Sequence, residues 1–301
     1  MSVRGGTSAD GLAGLLAAEV GGRPGGVETA VLKDTRVTVV RVGDAVIKAL
    51  PPGTDPDGLE ARLVAAASLP GVLLPPLSER VRHVAGRLVT LWPAGEPVDP
   101  ADPEGAPWEE GATLLARLHA APVRPASLPA HGGPARVTRA VAGLAEAAGD
   151  ARYAAAVRTI NAACEPLDLG DGHAGTAALV HGDWHLGQVV RYRGEWLLID
   201  VDDLGVGNPA WDLARPAAWY ASGLLAPELW GRFLGAYLAA GGAAVRPEDP
   251  WRELDEPARA LTVQLAATAV AAACGEGRPL DEVEDALVSS CGRIVRAASS
   301  R

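Results

Sequence analysis

Apolar and polar positions change their period repeatedly along the 301-residue chain. An apolar stretch at 12–20 predicts a short helix. From Glu28 onward, β-branched and aliphatic residues gather in three runs, 28–33, 36–42 and 45–50, separated by Lys33-Asp34-Thr35 and by Gly43-Asp44. Runs of this length between turn residues predict an antiparallel meander. Pro51-Pro52-Gly53 ends the third run. Asp55-Pro56 then predicts a helix start, with Asp as cap and Pro in the first turn, continued by Leu59, Leu63 and Ala66. Two more strands are predicted at 72–77 and 87–92.

The proline-rich stretch 93–107 reads as a boundary. It divides the chain into an N-terminal lobe at 1–92, a linker at 93–107 and a helical C-terminal lobe at 108–301. Leu114, Leu115 and Leu118 mark a helix over 108–120, and further helices are predicted at 136–148 and 153–164. The period then returns to that of strands at 178–180, 189–192 and 196–199, the last two joined by Arg193-Gly194. Helices resume at Trp211. A small antiparallel sheet with one helix, followed by a helical lobe with a β-insert, predicts an α+β, two-lobed fold. Ligands commonly lie between such lobes.

Composition narrows the function classes. Apolar residues make up 48% and charged residues 21%, the balance of a globular chain. A formal charge of -10 argues against nucleic-acid binding, which needs a cationic surface to displace phosphate counterions. The apolar stretch at 260–274 falls short of the roughly 20 residues that span a bilayer, so it is expected to be a buried core helix. Cys164, Cys274 and Cys291 form no CxxC pair, and Met1 to Ser8 has no charged-then-apolar signal pattern. These features predict a cytoplasmic protein without a membrane partner. Lysine is rare: only Lys33 and Lys48 among 27 basic residues. Side-chain amides are limited to Asn161, Asn208, Gln188 and Gln264. A rare type kept in such a chain draws attention to its position.

The densest polar cluster is His181-Gly-Asp183-Trp-His185-Leu-Gly-Gln188, set between two apolar strands. Asp200 follows directly after Trp196-Leu-Leu-Ile199. A loop acid, a loop amide and a strand-end acid suit phosphoryl transfer. One carboxylate orients the attacking hydroxyl, and hard oxygen ligands hold Mg²⁺ on the phosphates. A zinc site built on His181, Asp183 and His185 would need another ligand, and no His-rich partner segment exists.

This arrangement resembles the aminoglycoside phosphotransferase family, a branch of the protein-kinase-like fold. The resemblance lies in His-x-Asp-x4-Gln, the strand ending in Asp200, and Gly207-Asn208-Pro209-Ala-Trp-Asp212-Leu213-Ala214. It extends to Lys48, Glu60 and Leu118-His119. By this resemblance Asp183 is the catalytic base, and Gln188 and Asp200 bind Mg²⁺. Lys48 contacts the ATP phosphates, held by an ion pair with Glu60, and the edge Leu91, Trp92 and Ala94 hydrogen-bonds adenine. Asp212 either braces the catalytic loop or is a plain helix N-terminal acid. Gln188 replaces the family's usual Asn, in the His-Leu-Gly-Gln form associated with maltokinase-like and glucosamine-kinase-like members. Asn208 replaces the usual Asp of the turn.

The resemblance implies an ATP- and Mg²⁺-dependent phosphotransferase acting on a small hydroxylated compound, an aminoglycoside or similar aminosugar. The alternatives are a sugar kinase and a nucleotide-binding scaffold without transfer activity. Only eight residues separate Asp200 from Pro209, too few for a platform that supports a peptide substrate. Asp202 and Asp203 are expected at the lip of the acceptor pocket, where they would favour a cationic acceptor.

Overall fold

Val40, Val42, Ile47, Ala49, Val89 and Leu91 stand two apart along their strands, and all six are buried together. Their period-2 pattern builds the main sheet. The structure, a computed structural model, describes residues 11–12, 14–16, 28–169 and 177–299. The chain separates into two compact units: 1–98 with 124–128 and 189–202, and 99–123 with 129–188 and 203–301.

The first unit carries a five-stranded antiparallel sheet of order β1-β2-β3-β5-β4. Its strands are β1 (Thr29–Asp34), β2 (Thr38–Val42), β3 (Ala45–Ala49), β4 (Arg82–Val84) and β5 (Arg87–Pro93). Leu12 and Leu16, the described part of the N-terminal helix expected at 12–20, pack on its core; the remainder of that segment lies outside the described residues. Helix α1 (Pro56–Ala67) starts as the sequence predicts. Asp55 accepts hydrogen bonds from the N–H groups of Asp57 and Gly58, both at 3.1 Å, and Pro56 occupies the first turn. The strand expected at 72–77 makes only a parallel bridge from Leu73 to Leu198, because Pro75 and Pro76 offer no N–H to a ladder. Strand β4 was not legible, as its turn places Ala85 in the left-handed region at φ 49°, a conformation alanine seldom marks.

A second sheet in this unit joins β6 (Glu96–Pro97), β8 (Val189–Tyr192) and β9 (Glu195–Leu198). The hairpin expected to belong to the C-terminal lobe therefore groups with the first unit. Its β8 pairs with β6, and Val190 and Leu197 pack on Leu74. The boundary falls after Val98, inside the stretch read as the linker.

The second unit is helical, with α2 (Trp108–Ala120), α3 (Gly133–Ala142), α4 (Ala145–Ala148), α5 (Ala154–Cys164), α6 (Ala210–Ala221), α7 (Pro227–Ala239), α8 (Trp251–Glu276) and α9 (Glu282–Ser299). The helix expected at 136–148 is broken at Gly143 into α3 and α4. By length and composition α8 is apolar enough to cross a membrane, yet its Leu261, Val263, Ala267 and Val270 form one buried core with residues of α3, α5, α6 and α9. Strands β7 (Ala178–Val180) and β10 (Gly205–Gly207) pair antiparallel. They place the loop 181–188 and the start of α6 at the ends of one short ribbon.

Candidate active site

In the first unit, β3 alternation turns Lys48 inward, and only 9% of its surface is exposed. Its Nζ lies 2.5 Å from Asp200 Oδ1 and 2.7 Å from Asp202 Oδ2. Burial alone would lower the lysine pKa; the adjoining Asp202 and Asp200 carboxylates outweigh it and hold the ammonium above its ordinary value. Asp200 sits at the end of β9 with φ 63°, a left-handed conformation that Asp tolerates better than most residues. Two carboxylates around one ammonium leave a net negative charge, suited to a divalent cation.

Glu60 does not pair with Lys48 as expected. It accepts from Arg80 Nη1 at 2.7 Å and from the Val81 N–H at 3.2 Å, and Arg80 holds its carboxyl below the usual range despite partial desolvation. The physical reason is local. Asp200 and Asp202 already flank the ammonium, while Arg80 and the approach to β4 supply donors where Glu60 stands on α1. The edge Leu91, Trp92 and Ala94 is also largely engaged within the unit. Leu91 O accepts from Leu77 N–H, Ala94 N–H donates to Asp44 O, both at 2.8 Å, and Trp92 Nε1 donates to Thr90. Pro93 has no N–H, so this edge presents fewer donors to adenine than expected.

In the second unit the loop after β7 is held by Asp212. This fully buried carboxylate accepts the N–H groups of His181 at 2.7 Å and Gly182 at 2.9 Å, and its Oδ2 lies 3.0 Å from His119 Nε2. Tyr237 Oη stands 2.8 Å from His119 Nδ1 and accepts the Ala244 N–H at 3.1 Å. Burial would raise the Asp212 pKa, but His119 and the backbone donors hold it below the ordinary range. Gly182, at φ 84°, lies so near the Asp203 carbonyl that a Cβ would approach its oxygen to 2.3 Å. Gly182→Ala is therefore expected to lower stability by about 2 kcal/mol or more, read as a drop in the urea midpoint.

The loop presents Asp183 between two guanidiniums. Arg215 Nη2 donates to Oδ1 at 2.7 Å and Arg136 Nη2 reaches Oδ2 at 2.8 Å. Arg136 also binds Asp203, 2.9 Å from Nη1. Gln188, buried in a single turn of 3₁₀ helix at 186–188, has its carboxamide 3.2 Å from His185 Nε2. The ring's Nδ1 accepts the Gly187 N–H at 3.0 Å. Thus Lys48 and Asp200 belong to the first unit, and Asp183 and Gln188 to the second. Asp202 and Asp203 do not form an open acidic lip, because Asp202 shares the Lys48 ammonium with Asp200 and Asp203 pairs with Arg136.

Arg136, Arg215 and Tyr237 are functional neighbours that the sequence does not single out, and His119 enters there only through the family resemblance, without a role. Arginine carries no signal in a chain where it fills nearly every basic position, and a helical histidine reads as packing until its carboxylate partner, 93 positions away, is known. His173 lies outside the described residues. Among the described residues, no three His, Cys, Asp or Glu side chains gather as a metal cluster. A Mg²⁺ site does not need one, since this ion takes few protein oxygens and fills its shell with phosphates and water. The carboxylates beside Lys48 and the Gln188 amide are oxygen donors of the required type.

The sequence profile of the phosphotransferase enzyme family matches residues 35–282, so the chain belongs to that family. Solved structures share its protein-kinase-like fold. A choline/ethanolamine kinase family protein from Mesorhizobium loti is 19% identical with a TM-score of 0.60, covering 95% of this chain and 92% of that one. A thermostable aminoglycoside phosphotransferase mutant, bound to AMP-PNP and hygromycin B, is 14% identical with a TM-score of 0.60 over 96% and 99% of the two chains. An amicoumacin kinase in complex with AMP-PNP, Ca²⁺ and its antibiotic is 16% identical with a TM-score of 0.57 over 91% and 89%. No curated protein sequence matches the chain. The family and fold make it an enzyme of the small-molecule phosphotransferase class.

Proposed function

We propose that the protein transfers the γ-phosphoryl group of ATP, with Mg²⁺, to a hydroxyl of a small molecule. The observation that carries this reading is the buried Lys48 ammonium clasped by Asp200 and Asp202. A buried cation at a strand centre, tied to a strand-end acid, suits the phosphates of a nucleotide and the ion that accompanies them. AMP-PNP in two structures of this fold supports ATP as donor. One of these structures also holds hygromycin B, and the other the Ami ligand of an amicoumacin kinase.

In this mechanism Asp183 accepts the hydrogen bond of the acceptor hydroxyl and takes its proton as the acceptor oxygen bonds to the γ-phosphorus. The bond to the β,γ-bridging oxygen breaks, and its electron pair leaves with ADP. Lys48 binds and orients the phosphates. Asp200 and Gln188 would hold Mg²⁺, which when bound neutralises charge on the phosphate oxygens. Arg136 and Arg215 hold Asp183 in place. The carboxylate of Asp212 fixes the loop that carries it.

Lys48→Ala is expected to weaken ATP binding about tenfold or more and to remove most of the thermal stabilisation by Mg-ATP. Glu60→Gln should leave ATP affinity within about twofold, because Glu60 serves Arg80 and not Lys48. Calorimetric titration of the two variants checks both. Unchanged affinity in Lys48→Ala contradicts the assignment of this lysine.

A further inference from the structure

The second unit contains a cleft of about 620 Å³ walled by α3, α6, α8 and the start of α9. Much of its wall is apolar, with Trp219, Leu224, Leu265 and Leu287. Arg136 and Arg215 also line it, and these are the guanidiniums that clasp Asp183.

Arg136, Arg139 and Arg215 surround Asp183 and Asp203, three cations for two carboxylates. Arg215 has a side chain only 13% exposed, and its Nε is buried without a hydrogen-bond partner in the protein. Burial and the nearby Arg136 charge lower its pKa below the usual guanidinium value despite Asp183. The acids in the cleft are engaged in local contacts. Glu284 binds Arg278 through both oxygens, at 2.7 and 2.8 Å, and Asp281 Oδ1 accepts the Glu284 N–H that opens α9.

Resting on the phosphotransferase reading above, we propose that the acceptor is a hydroxylated carboxylic acid with an apolar body, its carboxylate bound by Arg215 and Arg136. A guanidinium offers a planar fork that matches a carboxylate, and a desolvated one gains most from an incoming anion. The apolar walls take the rest of the molecule. This replaces the cationic acceptor that the two sequence-adjacent acids, Asp202 and Asp203, suggested.

The test is calorimetry of the intact protein with 3-phenyllactate, its primary amide, and phenylalaninol, alongside the aliphatic set built on 2-hydroxyisocaproate. The acids are expected to bind about tenfold or more tightly than their amides. The preference should fall with added salt, persist in part in Arg215→Lys, and vanish in Arg215→Gln. Equal binding of acid and amide, tighter binding of the amino alcohol, or no binding by any acid overturns the proposal; the wild-type comparison does so even if a variant misfolds. ADP release is measured in parallel. Transfer to amino alcohols with no preference for acids overturns the proposal and leaves the phosphotransferase reading standing. Acid-selective binding without transfer to any acceptor overturns the phosphotransferase reading and leaves the anion site standing.

Discussion

Asp183→Asn is expected to reduce phosphoryl transfer about 10²–10⁴-fold while nucleotide affinity stays within about twofold. The substitution removes the oxygen that accepts the hydroxyl proton but keeps the shape and one hydrogen-bond acceptor. The clamp makes the result specific. In the wild type both carboxylate oxygens are held, by Arg215 at 2.7 Å and Arg136 at 2.8 Å, so the side chain has little freedom to lose. An amide presents one oxygen and one NH₂ group to two guanidiniums, so one arginine loses its acceptor and faces a donor. A modest drop in melting temperature should accompany the loss of rate. Steady-state kinetics and calorimetry on the same preparation separate the effects. Activity above a tenth of wild type would move the base elsewhere.

Asp212→Asn should act on fold and rate together. The carboxylate satisfies two backbone N–H groups and His119 inside a fully buried site. Breaking such a pair costs about 3–5 kcal/mol, on the order of 10 °C in melting temperature for a unit of this size. Activity should fall as well, because the loop 181–183 loses its anchor. The pH dependence follows from the sign of the shift. The folded-state pKa of Asp212 lies below its unfolded value of about 3.9, so its contribution is complete above that value and is lost as the pH falls through the folded pKa. Urea unfolding from pH 7 to pH 3 should show the wild type losing more stability at the acid end than Asp212→Asn. Parallel curves would contradict the account of Asp212.

Much of this was legible before the structure, for physical reasons that differ by residue. Short β-branched runs and their turns marked the meander, and a capped start marked α1, because both signals are local. The loop 181–188 and Asp200 stood out because chemistry places scarce polar types between apolar strands. The partners did not stand out. Glu60 on the helix after β3 was matched to Lys48 by position, yet its charge is taken up by Arg80, which nothing in the spacing reveals. Arg136 and Arg215 lie on different helices and converge on Asp183. The domain assignment of the 189–199 hairpin depended on a two-residue strand, Glu96–Pro97, too short to carry a periodic signal.

The central claim, transfer of phosphate from ATP to a small hydroxylated acceptor, is tested most directly by incubating the protein with Mg-ATP and an acceptor panel and following product by mass spectrometry and ³¹P NMR. The account predicts an O-phosphorylated acceptor formed in step with ADP by the wild type, and at the background rate by Asp183→Asn. ADP formed equally with and without acceptor, or phosphate delivered to protein and to none of the small molecules, would contradict it.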